Sequence, residues 1–377
     1  MRAILIDDEP LAIDYLAHQL TKIHTYDIVA KFSNPFEAQE KVSDYHADVL
    51  FLDIEMPGIN GMELAEILLD ENPKLHIVFV TAYNQYAVTA FELNAMDYLL
   101  KPATAERLKK TTKRLMERIS LNQLSEEETP SQYLFIQLFH TPLVFDGNKT
   151  IELKWRTSKA KQLFFYLLHH RDRLVTKDEL VEQLWPDFSL EKSYTQLYTT
   201  IYHVRSTLKQ YVKYIQIKNS KNGYSLVLRD VEIDVDLFER FIREDKEINE
   251  QTIQKYEEIM AYCKGEYMFN LDYAWANNEY IRLQYLWVQT KKKMIGWYTK
   301  NKAYEKATEH ALEIYKRYPL EEEGYFELMK IFAITGKSTL VQKCFEELKE
   351  MLEKELELQP SVVVMDWYEE WLESIEV

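Results

Sequence analysis

Val49-Leu50-Phe51-Leu52-Asp53-Ile54-Glu55-Met56-Pro57-Gly58 is an apolar run of four residues that ends in a carboxylate and then turns. Four apolar residues in a row suit a parallel strand covered on both faces. Its next residue, Asp53, then emerges at the carboxyl-terminal edge of the sheet, where open α/β sheets bind their ligands. A strand-terminal Asp that only satisfies nearby amides is the plainer alternative. Three further strands share the pattern. Ala3-Ile4-Leu5-Ile6 precedes Asp7-Asp8-Glu9, Ile77-Val78-Phe79-Val80 precedes Thr81-Ala82, and Asp97-Tyr98-Leu99-Leu100 precedes Lys101-Pro102. If the strands are parallel, one edge collects three carboxylates, a hydroxyl and an ammonium.

Carboxylates gathered in this way repel one another, so something must neutralise them. A hard divalent cation such as Mg²⁺ takes oxygen ligands and retains waters, which leaves room for a phosphoryl group. Asp53 is then a nucleophile toward phosphorus. Five such positions in this order make residues 1–118 resemble a response-regulator receiver domain, a doubly wound α/β fold with a five-stranded parallel sheet. The resemblance implies that Asp53 is the phosphoacceptor, Asp8 a direct Mg²⁺ ligand and Asp7 a ligand through water. The main-chain carbonyl of Glu55 completes the protein's share of the metal shell. Thr81 hydrogen-bonds the phosphoryl oxygens, Lys101 pairs with them, and Tyr98 is the rotameric switch aromatic. The same resemblance makes the Lys101-Pro102 bond cis, which X-Pro bonds adopt at modest cost.

A chain of 377 residues has room for two or three domains. Its two cysteines, Cys263 and Cys344, match no metal or redox spacing. No apolar run approaches a membrane span and Met1-Arg2 leads straight into the first strand, so the expectation is a cytoplasmic protein without a membrane partner. Within residues 1–118, apolar spacing places helices around Leu11 to Leu20, Phe36 onward, Met62 to Asp70 and Gln85 to Leu93, with a fifth from Thr104. The fourth-helix surface lacks the dense charge of OmpR/PhoB-type receivers. The wording Ala90-Phe91-Glu92-Leu93-Asn94-Ala95-Met96-Asp97-Tyr98 is instead closer to receivers that drive LytTR-type outputs.

The overall charge of −16 would disfavour nucleic acid, but its distribution is uneven. Residues 1–118 carry −7, 119–130 carry −3, 131–229 carry +7 and 230–377 carry −13. A basic module between acidic neighbours is a candidate footprint for phosphate backbones. Residues 119–132, with Glu126-Glu127-Glu128 and Pro130, read as a linker. Short alternating pieces over 133–153, broken by Asp146-Gly147-Asn148, read as a small antiparallel platform. A helix follows over Lys159 to His169, and His169-His170 reads as its C-terminus rather than a metal site. Thr176-Lys177-Asp178-Glu179 opens another as a capping box. A second box, Ser193 to Gln196, opens a third, running to about Tyr211. On that helix Leu197, Ile201, Val204 and Leu208 form the core stripe, while Thr195, Thr199, Tyr202, His203, Ser206 and Lys209 point away and suit a major groove. Asn222-Gly223 between alternating runs signals a hairpin.

Residues 133–229 thus resemble a winged helix-turn-helix of the OmpR/PhoB kind, through Leu184-Trp185-Pro186-Asp187, Val204-Arg205 and Gly223-Tyr224. The resemblance implies that Thr195, Thr199, Tyr202, His203 and Ser206 contact bases or phosphates of double-stranded DNA. Arg205 and Lys209 would contact phosphates, and Lys218 and Lys221 on the wing phosphate or minor groove. A winged helix used for protein contacts is the alternative.

Residues 230–377 read as all helical. Asn301-Lys302-Ala303-Tyr304 and Gly336-Lys337-Ser338-Thr339 recur 35 positions apart, and Pro319 and Pro360 each close a following helix, which suggests tetratricopeptide-like pairs. Asp234-Val235-Asp236-Leu237-Phe238, Gly265-Glu266-Tyr267 and Ala274-Trp275-Ala276 resemble the bacterial transcriptional activation domain of SARP-type regulators. This resemblance implies contact with another protomer, RNA polymerase or a regulatory ligand. The expectation is a transcription regulator of a two-component system, phosphorylated on Asp53 by a sensor histidine kinase and dimeric on DNA when phosphorylated. The competing expectation is a phospho-switch acting by protein–protein interaction through the helical domain. No second catalytic constellation points to a metabolic enzyme.

Overall fold

The computed structural model describes residues 1–72, 75–83, 96–121, 133–244 and 246–376. The helix expected over Gln85 to Leu93 and residues 122–132 of the expected linker lie outside them. The chain forms two compact units, Met1–Gln132 with Glu152–Val231, and Tyr133–Ile151 with Glu232–Val377.

In the first unit, β1 (Arg2–Ile6), β2 (Asp27–Phe32), β3 (Val49–Leu52), β4 (His76–Thr81) and β5 (Asp97–Leu100) form one sheet in the order β2-β1-β3-β4-β5. All its pairings are parallel. Helices α1 (Pro10–Thr21), α2 (Pro35–Lys41) and α3 (Gly61–Glu71) cross over between strands, and a helix over Ala105–Leu121 closes the domain. Side chains alternate along a strand, so Ala3 and Leu5 enter a core with Leu16, Leu20, Leu108 and Leu115. Ile4 and Ile6 enter the opposite one with Leu50, Leu52, Leu64 and Leu68. Helices on both faces are what require unbroken apolar strands. Asn34 caps α2 by accepting the Phe36 N–H at 2.9 Å, and Asn60 caps α3 by accepting that of Met62 at 2.8 Å.

Three helices follow in the same unit, Ser158–His169, Lys177–Leu184 and Leu190–Leu208, then the hairpin β10 (Ile215–Ser220) and β11 (Gly223–Leu228). The short strand β9 (Val175–Thr176) pairs with β11 to complete a three-stranded wing sheet. Thr176 caps its helix through the Glu179 N–H at 3.2 Å. The Glu179 carboxylate, however, is taken by Arg173 and Tyr166 rather than reaching back. The third helix begins at Leu190, earlier than the Ser193 cap expected. The Ser193 hydroxyl is buried and donates to the Trp185 carbonyl at 3.4 Å. It ends at Leu208 and continues as a 3₁₀ turn to Tyr211.

The wing turn is Lys221-Asn222, because Ser220 pairs with Gly223. Gly223 is needed for close approach, since a Cβ there would collide with the Val175 carbonyl and the Thr176 Cα. Gly223→Ala is therefore expected to cost about 1–3 kcal/mol, read as a lower denaturation midpoint for the unit that holds the wing. A midpoint equal to wild type would show that the β9 contact yields freely.

The platform strands, expected to belong with the winged helix, lie in the second unit. β6 (Leu134–Gln137), β7 (Leu143–Asp146) and β8 (Lys149–Ile151) are joined by β12 (Val231–Ile233) in the order β12-β6-β7-β8. The reason is local. The Asp234 carboxylate accepts the N–H groups of Leu138 and Phe139 at 2.8 and 2.9 Å, and Phe139 bridges to Tyr267. Helices Asp234–Arg243, Ile253–Met260, Asn277–Lys300, Tyr304–Arg317, Glu322–Ile334, Ser338–Leu356 and Val362–Glu376 complete this unit. Lys302 and Gly336 both take a left-handed φ, 60° and 70°, just before helices that start at Tyr304 and Ser338. The repeat is thus 34 residues, one fewer than the sequence alignment of the two stretches gave. Pro319 and Pro360 lie in the turns between successive helices. Among the described residues no helix is long and apolar enough to cross a membrane.

Candidate functional site

The strand ends meet as their apolar runs require. Backbone bonds continue past the strands, from Asp7 N–H to the Phe32 carbonyl (3.1 Å), Asp53 N–H to Ile6 (2.9 Å) and Lys101 N–H to Thr81 (2.8 Å). The functional side chains therefore start from fixed backbone. Asp7, Asp8 and Asp53 each offer a carboxylate oxygen within 4.8 Å of the others. Lys101 Nζ lies 2.7 Å from both Asp53 Oδ2 and Asp7 Oδ2, and the Ile54 N–H donates to Asp53 Oδ1 at 2.6 Å. Burial holds the Asp7 carboxyl above its ordinary value although Lys101 pulls it down. Burial likewise opposes the charge on Lys101, but the Asp53 and Asp7 carboxylates win and raise its pKa. An oxygen-only set of three carboxylates beside an ammonium fits a hard divalent cation.

Thr81 is fully buried at the end of β4, with the Tyr83 N–H 3.5 Å from its hydroxyl. Tyr98 donates its phenol to the Tyr83 carbonyl, and burial followed by the charge of Asp53 pushes that phenol up to about 12. Glu55 is half-buried in the loop after β3. The Lys101-Pro102 peptide is cis.

The residues singled out for DNA are not gathered on one open face. Thr195, Thr199 and His203 are buried, and the two threonine hydroxyls donate to carbonyls of their own helix at 3.0 Å. Burial, aided by Arg156, holds the His203 imidazole at about 4. Tyr202 is half-buried, whereas Ser206, Lys209, Lys218 and Lys221 are exposed. A cavity of about 460 Å³ runs along Tyr202, His203 and Ser206 toward Lys154 and Arg156. Arg205 is committed, with one nitrogen 2.6 Å from Glu66 Oε1 and another 2.7 Å from the Ile217 carbonyl.

Glu66 belongs to α3, and it marks a contact that helix periodicity does not reveal. Only 1 % exposed, Glu66 also accepts the Tyr224 phenol at 2.6 Å. Glu63, one turn earlier, accepts the Tyr198 phenol at 2.9 Å and pairs with Lys177. Tyr198 joins the apolar cluster that contains Met62, Ala65 and Leu68, with Tyr194 and Tyr202 packed against it. The signal for this was present in the sequence as Tyr194, Tyr198 and Tyr202 at intervals of four, an aromatic stripe beside the core stripe.

Comparison with known proteins finds three family models along the chain. Residues 3–113 match the family model of the response regulator receiver domain. Residues 150–226 match that of the C-terminal region of transcriptional regulatory proteins, and 233–372 that of the bacterial transcriptional activator domain. A response regulatory protein of Vibrio vulnificus is 44% identical over 126 residues, 33% of this chain and 52% of that protein. The transcriptional regulatory protein BtsR of Escherichia coli K12 is 42% identical over 125 residues, again 33% and 52%. The chain spans about half the length of the curated relatives it matches. Among solved structures, the response regulatory domain of mrkE from Klebsiella pneumoniae is 31% identical and covers 32% of this chain and 99% of its own, with a TM-score of 0.30.

Proposed function

We propose that this chain, a response regulator with a receiver domain, a transcriptional-regulatory winged helix and a bacterial transcriptional activator domain, is a DNA-binding regulator switched by phosphorylation of Asp53. The observation that carries this reading is the convergence of Asp7, Asp8, Asp53 and Lys101 at one sheet edge, in a unit that also holds the winged helix. A carboxylate oxygen of Asp53 attacks phosphorus of a phosphohistidine on a sensor kinase, or of a small acyl phosphate, and the donor leaves with the bonding pair. Asp8, Asp53 and the Glu55 carbonyl, with Asp7 through water, would hold a Mg²⁺ ion, which would supply charge neutralisation on the phosphoryl oxygens. Lys101, freed from Asp53, pairs with a phosphoryl oxygen, and the Thr81 hydroxyl donates to another. Movement of Thr81 changes the space beside Tyr98, which turns a local charge change into a rearranged surface.

DNA is the partner that the +7 charge of residues 131–229 favours over a protein. Two copies on repeated half-sites strengthen binding through effective concentration. The helical unit supplies a surface for a second protomer or for RNA polymerase. The test is selection from a random duplex library across a salt series, with and without beryllofluoride and Mg²⁺. Enrichment of a repeated motif, tightened by the phosphate mimic, is the expected outcome, and half-site spacing then gives the dimer geometry. If no sequence is enriched in either state, the regulator reading fails and a protein-interaction switch takes its place.

A further inference from the structure

The carboxylates of α3 hold groups of the recognition helix, Leu190–Leu208, and of the helix before it, and these groups are chemically alike. Arg205 and Lys177 are cationic donors, and Tyr198 is a neutral phenol donor. Donors of this kind meet DNA phosphates in protein–DNA complexes. Glu63 and Glu66 sit one helical turn apart and present anionic oxygens to them. We propose that Glu63 and Glu66 stand in for DNA backbone phosphates. In the closed molecule their carboxylates occupy the phosphate contacts that Lys177, Tyr198 and Arg205 make once α3 withdraws. The proposal rests on the reading that the winged helix binds duplex DNA. It adds Lys177 and Tyr198 to the phosphate-binding set and gives α3 the role of an internal competitor.

The fit is made by charge and by apolar packing together. Glu66 is almost fully enclosed, with Arg205 on one oxygen and the Tyr224 phenol on the other, so its charge is compensated rather than stranded. Tyr198 covers the apolar side of α3 while its hydroxyl reaches Glu63. A DNA phosphate cannot reach Arg205 while this packing persists. Binding of DNA and closure therefore compete for the same atoms, and by linkage each weakens the other.

The clamp is also fastened to the phosphoacceptor. Gly61, the first residue of α3, donates its N–H to the Ile54 carbonyl at 2.7 Å. A Cβ on Gly61 would collide with the carbonyl oxygen of Asp53 itself. The start of α3 thus lies directly on the backbone that carries Asp53, and Glu63 follows two residues later. A shift of this backbone on phosphorylation passes across the Gly61 contact and along one helix to Glu63 and Glu66.

The test uses the full chain as Glu63→Gln/Glu66→Gln, which keeps shape and removes charge, and reads hydrogen exchange and DNA binding separately. Without DNA or phosphate mimic, amides of the recognition helix should exchange at least about tenfold faster than in wild type. Random-sequence duplex should bind about tenfold tighter or more at low salt. Adding Lys177→Ala and Arg205→Ala should lower the slope of log K against log salt by about two. The charge swap Glu63→Lys/Lys177→Glu guards against a merely misfolded variant, since it should restore slow exchange yet leave DNA binding weak. Unchanged exchange in the double Gln variant would overturn the closed clamp on its own. Faster exchange with unchanged affinity and salt slope would show that the covered face is not the phosphate face, which also overturns it. If wild type with beryllofluoride binds no duplex either, the DNA reading falls first and takes the inference with it.

Discussion

Asp53→Asn is expected to lower phosphoryl acceptance from acetyl phosphate with Mg²⁺ by at least about three orders of magnitude, because it removes the nucleophile. The variant keeps the rest of the site. Asn retains a carbonyl oxygen for the Ile54 N–H that now donates to Asp53 Oδ1 at 2.6 Å. Lys101 retains Asp7 at 2.7 Å as its counter-charge. One negative charge fewer among Asp7, Asp8 and Asp53 relieves repulsion, so thermal stability should stay near that of wild type or rise slightly. That separation of outcomes makes the measurement sharp. Intact-mass analysis after incubation with the donor should show one added phosphoryl group on wild type and none on the variant. Labelling of Asp53→Asn at the wild-type rate would move the acceptor elsewhere and sink the site as drawn. Lys101→Ala should be milder, since Lys101 touches the carboxylate and the product without forming the new bond. Its loss leaves Asp7 and Asp53 facing each other unneutralised.

The receiver was legible because its signal is local. Each functional residue follows a short apolar strand, and a strand buried on both faces can place its terminus at only one edge. The four strand ends at Asp7, Asp53, Thr81 and Lys101 converge for that reason. The face expected to meet DNA was less legible. Thr195, Thr199 and His203 do point away from the stripe of Leu197, Ile201, Val204 and Leu208, as the helical wheel requires. They are nevertheless buried: the two threonine hydroxyls turn back to carbonyls of their own helix and His203 lies beside Lys154 and Arg156, and the periodicity of a single helix does not report what other segments pack on it. The same limit hid Glu63 and Glu66. The spacing of α3 does not single them out, and they bind Lys177, Tyr198, Arg205 and Tyr224. The platform strands had no pattern that named their partner. Their assignment to the second unit depends on Asp234, which the sequence presented only as part of a family-like opening.

That residue carries the largest stability effect expected in the second unit. Asp234 is fully buried and accepts three backbone N–H groups, from Leu138 and Val235 at 2.8 Å and from Phe139 at 2.9 Å. Asp234→Ala leaves those donors without acceptors where water does not reach, and an orphaned buried N–H costs about 1–3 kcal/mol. The three share one anchor and relax together, so the sum should come to about 3–5 kcal/mol. Urea denaturation should show the transition of the helical unit moved to much lower urea, while phosphoryl acceptance at Asp53, in the other unit, stays as in wild type. The pH dependence gives a second reading of the same group. Burial outweighs the three N–H donors and pushes the carboxyl up to about 7 from 3.8. Between those two values the folded form keeps a proton that the unfolded form gives up. Unfolding is therefore favoured as pH rises across that window, and the contribution levels off above about 7. Subtracting the Asp234→Ala profile from the wild-type profile isolates this contribution. A wild-type stability advantage that narrows from pH 4 to pH 7 fits a proton held on Asp234. An advantage that widens over that range would mean that the three N–H groups hold the carboxylate ionised after all.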